Sequence, residues 1–350
     1  MIGVSPSGRE SNPMQVSLSK FVLWAFFSAL LASEVSAATT REVTGFGSNP
    51  GNLQMFKYEP ERLASTPALV VALHGCTQTA RNYDNEPGWT ELADKWGFVL
   101  LLPQQQLFNN VDLCFNWFDG PDPDFFWPGD DQDRDKGAAL SIKQMIDKMR
   151  TDYGVDPKRI YVTGLSAGGA MTAVMLAAYP EVFAGGAIIA GIPYKCTTTS
   201  LGILNCGVDG RNHGSVSIKH LTPAQWGKLV REATSYKGPW PTVSIWQGTA
   251  DMTVDPDDAV ELVKQWTNVH GISRVATVEN VKGYRHERYK DRHGEVMVER
   301  YVIDGMGHGT PVDPGSATDQ CGKVGTYTLL TNICASYYIG KFWGLDKATP

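Results

Sequence analysis

The chain has 350 residues, 42% of them hydrophobic, enough to bury the core of one large α/β domain or two smaller ones. Its formal net charge is −6 and its Lys and Arg residues are scattered rather than striped, which argues against nucleic acid as the main partner. No repeat, charge block or Pro/Ser/Thr-rich linker divides residues 38–350, so they read as a single domain.

Residues 1–37 read as a leader outside that domain. Lys20 precedes an apolar run from Phe21 to Ala32, and Val35-Ser36-Ala37 supplies the small-x-small pattern of a signal-peptidase site. The run is too short to span a bilayer comfortably, so a cleaved signal peptide is expected rather than an anchor. The mature chain is then extracellular or periplasmic, without stable membrane insertion. Export to an oxidising compartment makes three disulfides the default for the six cysteines. Cys196–Cys206 and Cys321–Cys334 are favoured as short local loops, which leaves Cys76–Cys114. No Cys-x-x-Cys or Cys/His cluster has zinc spacing, and no metal is expected.

From Ala38 to Thr66 the sequence is polar and turn-rich, as in a hairpin at a sheet edge. Ala68–Leu73 is a continuous apolar run of strand length, the mark of burial on both faces, and it ends in His74-Gly75-Cys76-Thr77. Trp89–Trp96 has helical spacing, and Phe98–Pro103 is a second buried strand. Cys114–Gly129 is an aromatic-rich loop without periodicity, too long to be filler. Asp130 to Asp135 imitates a calcium loop but fails its pattern, with Lys136 where Gly is needed and Ile142 where Glu is needed. The run reads instead as an acidic N-terminus for a helix over 136–153, favoured by the helix dipole.

Arg159–Thr163 is the next strand and Gly169–Ala178 a helix; Gly164-Leu165-Ser166-Ala167-Gly168 lies between them. A hydroxyl carried on so tight a strand-to-helix turn requires small neighbours two places before and two after. Further strands are expected over Gly186–Gly191, Pro241–Trp246 and on either side of Asp291–Gly294, the last running to Ile303. Helices are expected over Pro223–Ser235, Asp257–Val269 and Tyr327–Trp343. Alternation of this kind predicts a mostly parallel sheet with helices on both faces.

In such a sheet reactive groups gather where strands end. Four turns leave strands with chemistry on them: those of His74-Gly75-Cys76, Ser166, Asp251 and His308. Nucleophile, acid, histidine is the chain order of the α/β-hydrolase triad. His308 would take the Ser166 proton, Asp251 would fix the His308 tautomer, and the amides of Cys76 and Ala167 would hold the oxyanion. Each residue has a plainer reading: Asp251 as a turn or helix-cap residue, His308 as structural in its Gly-rich turn. His74 is a candidate at the substrate site, though orienting its loop is the more natural role. His213, His220, His270, His286 and His293 lack strand-end context and read as surface or packing residues. Triad chemistry requires no cofactor, and none is indicated.

Five stretches together resemble the extracellular polyhydroxybutyrate (PHB) depolymerase esterases. They are Leu73–Gln78, Cys114–Phe118, Gly164–Gly168, Trp246–Asp251 and Gly305–Val312. The resemblance implies an α/β-hydrolase fold with Ser166, Asp251 and His308 as triad, the Cys76 amide in the oxyanion hole and Trp117 as a wall of the substrate cleft. It implies a hydroxyalkanoate polyester or its oligomers as substrate. Feruloyl and acetylxylan esterases of the same superfamily make plant-wall esters the rival. A non-catalytic polymer- or glycan-binding protein on a hydrolase scaffold is the reading from another class.

Overall fold

The computed structural model describes residues 38–118, 133–198, 206–207 and 219–347. The leader, most of the aromatic loop, residues 130–132 of the acidic run and His213 lie outside these. The described residues build a ten-stranded sheet in the order β1-β2-β4-β3-β5-β6-β7-β10-β9-β8. Its inner strands are β4 (Val99–Gln104), β3 (Leu69–Leu73), β5 (Ile160–Leu165), β6 (Gly185–Ile189), β7 (Thr242–Gly248) and β10 (Val296–Ile303). All run parallel to their neighbours within this group. The edges are antiparallel: β1 (Arg41–Val43) and β2 (Gln54–Tyr58) on one side, β9 (Tyr284–Lys290) and β8 (Thr277–Val281) on the other.

Strand side chains alternate between two cores, as the two-residue period of a strand demands. Leu69, Val71 and Leu73 face one core, together with Leu101, Val162, Ile188 and Ile245. This core is closed by α3 (Gly137–Tyr153), α4 (Ala167–Ala178), α5 (Pro223–Glu232) and α6 (Asp257–His270). Val70 and Ala72 face the other core with Leu100, Ala187 and Trp246. There the cover is α1 (Ala80–Tyr83), α2 (Trp89–Trp96) and α7 (Ala335–Phe342). Helices thus lie on both faces of a mostly parallel sheet, the α/β-hydrolase architecture. Local chemistry places them. Helix α5 opens with Pro223 at its first position and a reciprocal capping box between Thr222 and Gln225. Trp343, just past α7, stacks on Tyr161 at 4.7 Å, fastening the C-terminal helix to the sheet.

One expectation needs correction. The final helix starts at Ala335, not Tyr327, because Thr328–Leu330 is a strand (β12) paired in parallel with Thr310–Val312 (β11). β-Branched Thr328 and Thr331 bracket a run that suits a strand better than a helix. The first turn of α3 carries no acidic side chain. The described end of the acidic run stands just before the N-cap Lys136, where Asp133 pairs with Lys136 at 3.4 Å and Arg134 pairs with Glu181 at 2.6 Å. Strand β8 was not foreseen, because its run TVENV leaves both faces largely exposed and shows no alternation. The cysteines form Cys76–Cys114, Cys196–Cys206 and Cys321–Cys334.

The β9–β10 edge is held by a buried carboxylate. Glu287 accepts from Arg300 Nε at 2.9 Å, Tyr289 Oη at 2.6 Å and Arg285 Nε at 2.7 Å. Burial alone raises its pKa, but these donors outweigh burial and hold the carboxyl down at about 2. Its stabilisation is therefore complete above its ordinary value of 4.5 and is lost as pH falls towards 2. Glu287→Gln should cost about 2–4 kcal/mol at neutral pH by leaving buried donors short of charge. Urea unfolding across pH checks this: the gap between variant and wild type should close between pH 4.5 and about 2.

Candidate active site

Ser166 sits between β5 and α4 with φ 59° and ψ −120°, a conformation that L-residues rarely adopt. The strain, of order 1–3 kcal/mol, is held in place from both sides. The Ser166 amide donates to Ile189 O at 2.9 Å, and its carbonyl accepts from Ala170 N at 2.9 Å. The flanking glycines are required sterically. A Cβ at position 164 would lie 2.3 Å from Gly168 O, and one at 168 would lie 2.2 Å from Leu73 O. No backbone shift short of separating β3, β5 and α4 makes room for either. Ser166 thus stands half-buried at the start of a helix whose amide dipoles favour negative charge nearby.

Asp251 follows β7 and is completely buried. Its Oδ1 accepts from the amides of Thr253 at 2.8 Å and Val254 at 3.0 Å, and its Oδ2 from Gln247 Nε2 at 3.0 Å. The remaining partner of Oδ2 is His308 Nδ1 at 2.9 Å. A carboxylate only accepts, so Nδ1 carries the proton and Nε2 is left as the basic nitrogen. The turns bearing acid and histidine are laced together. Ala250 N donates to Met306 O at 3.0 Å and Thr249 N to Ile303 O at 3.0 Å. Gly248 lets the strands close: a Cβ there would meet Met306 O at 2.2 Å.

The third turn is His74-Gly75-Cys76. Gly75 N donates to Gln78 Oε1 at 2.9 Å, Thr77 N donates to Asp112 O at 2.6 Å, and the Cys76–Cys114 bond ties the turn to the segment that carries Trp117. Ser166, His308, Cys76, Ala167 and Trp117 all line one cleft of about 340 Å³. Its walls are largely apolar, including Phe115, Phe118, Leu165, Ile192 and Val254. Asp251 stays behind His308. The amide of Ala167 opens α4, so it lies outside the i→i−4 ladder of that helix.

His74 is the exception among the candidate site residues. It is completely buried and does not line the cleft. Its Nδ1–H donates to Gly75 O at 2.8 Å while Nε2 accepts from Gln105 N at 3.1 Å, so both ring nitrogens are spent on backbone. It orients the turn rather than touching substrate. Burial lowers its pKa to about 4, against a smaller opposing effect of the Gly75 carbonyl. The other described histidines do not line the cleft: His220 meets Glu261, His270 meets Pro241 O, His286 stacks on Tyr301 between Glu279 and Glu299, and exposed His293 accepts from Arg292. Tyr327 lines the cleft with its ring edge-on to His308, centroids 6.3 Å apart. Nothing in its spacing pointed to that place, since it reads as the start of a helix.

The chain matches the family model described as "Esterase PHB depolymerase" over residues 56–288. It is 48% identical to poly(3-hydroxyalkanoate) depolymerase C of Paucimonas lemoignei over 342 residues, 96% of this chain and 78% of that protein. An acetylxylan esterase of Coprinopsis cinerea is 35% identical, over 80% of this chain and 71% of its own. Among solved structures, an acetyl xylan esterase from Aspergillus awamori superposes with a TM-score of 0.69 at 25% identity, covering 88% of this chain and 99% of that one.

Two outcomes test the geometry. Gly168→Ala should unfold the elbow rather than merely slow it, lowering soluble yield and cutting the thermal midpoint by several degrees; a well-folded, fully active variant would contradict the packing described. For His74, the unfolded imidazole binds a proton below about 6.5 while the folded one resists until about 4. The unfolded state thus holds more protons in that window, and stability falls as pH drops through it. In His74→Gln the pH slope of unfolding free energy between 6.5 and 4 should be visibly shallower than in wild type.

Proposed function

We propose, given that the chain belongs to the esterase PHB depolymerase family and is a carboxylic-ester hydrolase, that it cleaves short-chain hydroxyalkanoate polyester or its oligomers through an acyl-Ser166 intermediate. The observation that carries this reading is the bond at 2.9 Å between buried Asp251 and His308, which with Ser166 lines one largely apolar cleft.

In the proposed cycle the Ser166 hydroxyl attacks the ester carbonyl while His308 Nε2 takes its proton. Asp251 keeps the proton of His308 on Nδ1 and stabilises the imidazolium as it forms. Negative charge then moves to the carbonyl oxygen, where the amides of Cys76 and Ala167 receive it. Donors in such positions are worth ~3–4 kcal/mol each, because they are already oriented when the charge arrives. Collapse of the tetrahedral intermediate expels the alcohol, which takes the proton from His308. Water repeats the sequence on the acyl-enzyme and restores Ser166. Trp117 and the neighbouring aromatics supply an uncharged wall for the acyl group, which suits short aliphatic hydroxy acids.

Residues 1–37 would direct export and be removed, leaving an extracellular enzyme whose three disulfides suit that compartment. Among the described residues no helix is long and apolar enough to cross a membrane. A second reading, ester cleavage on acetylated or feruloylated xylan, is favoured by the likeness to the acetylxylan esterases of Coprinopsis cinerea and Aspergillus awamori.

Ser166→Ala should lower kcat on p-nitrophenyl butyrate by about 10⁴-fold or more with the fold intact; a variant keeping a tenth of wild-type activity would refute the assignment. Release of 3-hydroxybutyrate from polymer film, compared with ferulate and acetate release from arabinoxylan, separates the two substrate readings. The film should be the better substrate.

A further inference from the structure

Tyr327 is held by its backbone, while its hydroxyl is left almost unused. Its carbonyl accepts from Thr310 N at 2.8 Å, where β12 meets β11 just beyond His308. A Cβ at position 309 would lie 2.8 Å from that same carbonyl, so Gly309 lets the two backbones touch. The half-buried ring then stands edge-on to His308, at 77° and 6.3 Å between centroids, and lines the Ser166 cleft. At the far end of the ring, Oη lies 3.5 Å from Oγ1 of Thr77, which follows Cys76 on its turn. Thr77 gives its own proton to Cys76 O at 2.7 Å. The phenol hydrogen therefore has only an acceptor at the outer limit of hydrogen-bond length. Asn110 and Gln78, also in the cleft wall, are more firmly engaged. Asn110 binds the amides of Asp112 and Cys114 and reaches Asn116 at 3.1 Å, and Gln78 holds Gly75 N at 2.9 Å.

The reaction determines what a donor at that place would meet. The leaving alcohol must come within hydrogen-bond reach of His308 to take its proton, so it stands beside the residue packed on that imidazole. In a hydroxyalkanoate the released alcohol differs from that of a simple ester. It is itself a 3-hydroxyacyl group and carries a second carbonyl close to the leaving oxygen. A carbonyl only accepts, and needs a donor. We propose that Tyr327 determines specificity on the leaving-group side: its hydroxyl donates to the first carbonyl of the departing chain, and its ring walls the alcohol in. The inference rests on the hydroxyalkanoate reading above and deepens it. Redirecting the phenol hydrogen from Thr77 to substrate gives up little, because the contact it leaves is long. A Tyr327 that merely braced the histidine turn against the Cys76 turn would treat all leaving groups alike. The two roles therefore part on the choice of alcohol.

The test uses two soluble butyrate esters that share an acyl group. One releases methyl 3-hydroxybutyrate; the other releases 2-butanol, which keeps the branched carbon and lacks the carbonyl. kcat/KM for each is measured in wild type and in Tyr327→Phe, and the ratio of the two, rather than either rate, reports the donor. Wild type should favour the first ester, and the substitution should shrink that preference about fivefold, the worth of one neutral hydrogen bond. A ratio that the substitution leaves unchanged overturns the proposal, even if both rates fall together. So does a wild type with no preference between the esters. Release of 3-hydroxybutyrate from its linear trimer tests the substrate reading separately. Wild type whose preference depends on Tyr327, yet which frees no hydroxybutyrate from the trimer, would keep the donor and sink the substrate reading. Wild type that frees it, with the ratio unmoved by Tyr327→Phe, would do the reverse.

Discussion

The carbonyl oxygens of Leu73 and His74 occupy the space a side chain at position 168 would need. These contacts fix how closely α4 approaches β3 and β5, and so fix where the serine between them can point. The sheet supplies the force: β3 and β5 are buried on both faces, and their ladder runs from Leu69–Ile160 to Leu73–Gly164. Burial of two apolar layers thus holds a residue at φ 59° that would relax if it stood alone. The same device recurs on the far side of the site, where Gly248 admits the Met306 carbonyl and locks the acid-bearing turn to the histidine-bearing one. Glycine is used at both places for what it lacks, so that backbone can touch backbone.

Much of this was legible because strand burial and turn chemistry leave marks in sequence. Leu69-Val70-Val71-Ala72-Leu73 can only be a doubly buried strand, and the turns that follow such strands are few enough to inspect one by one. Ser166, Asp251 and His308 stood out by position in that scheme; Ser166 and His308 line one cleft, and Asp251 lies buried behind His308, bonded to it. The cysteine pairs followed from loop length in two cases and remainder in the third.

Other features left no such mark. Tyr327 reads as the beginning of a helix because Tyr337, Tyr338 and Phe342 follow at helical spacing, yet the segment first pairs as β12 with β11. That pairing joins Thr310 to Thr328 across a gap that no local pattern reports. His74 was half legible: orienting its loop is the more natural role in sequence, but the partners that do it are not visible there. Its residue type and strand-end position suit chemistry, but its two nitrogens meet the Gly75 carbonyl and the Gln105 amide, the second a partner 31 positions away. Whether a histidine faces a cavity or a core depends on which loop lies over it, and that is a tertiary fact.

The Cys76–Cys114 bond joins the His74-Gly75-Cys76 turn to the segment that leads to Trp117 across 38 positions, and no strand pairing of the sheet runs through it. Packing the sheet needs only water to exclude, whereas closing this bond needs an electron acceptor, so the redox state of the compartment bears on the walls of the cleft through a constraint that the hydrophobic layers do not supply.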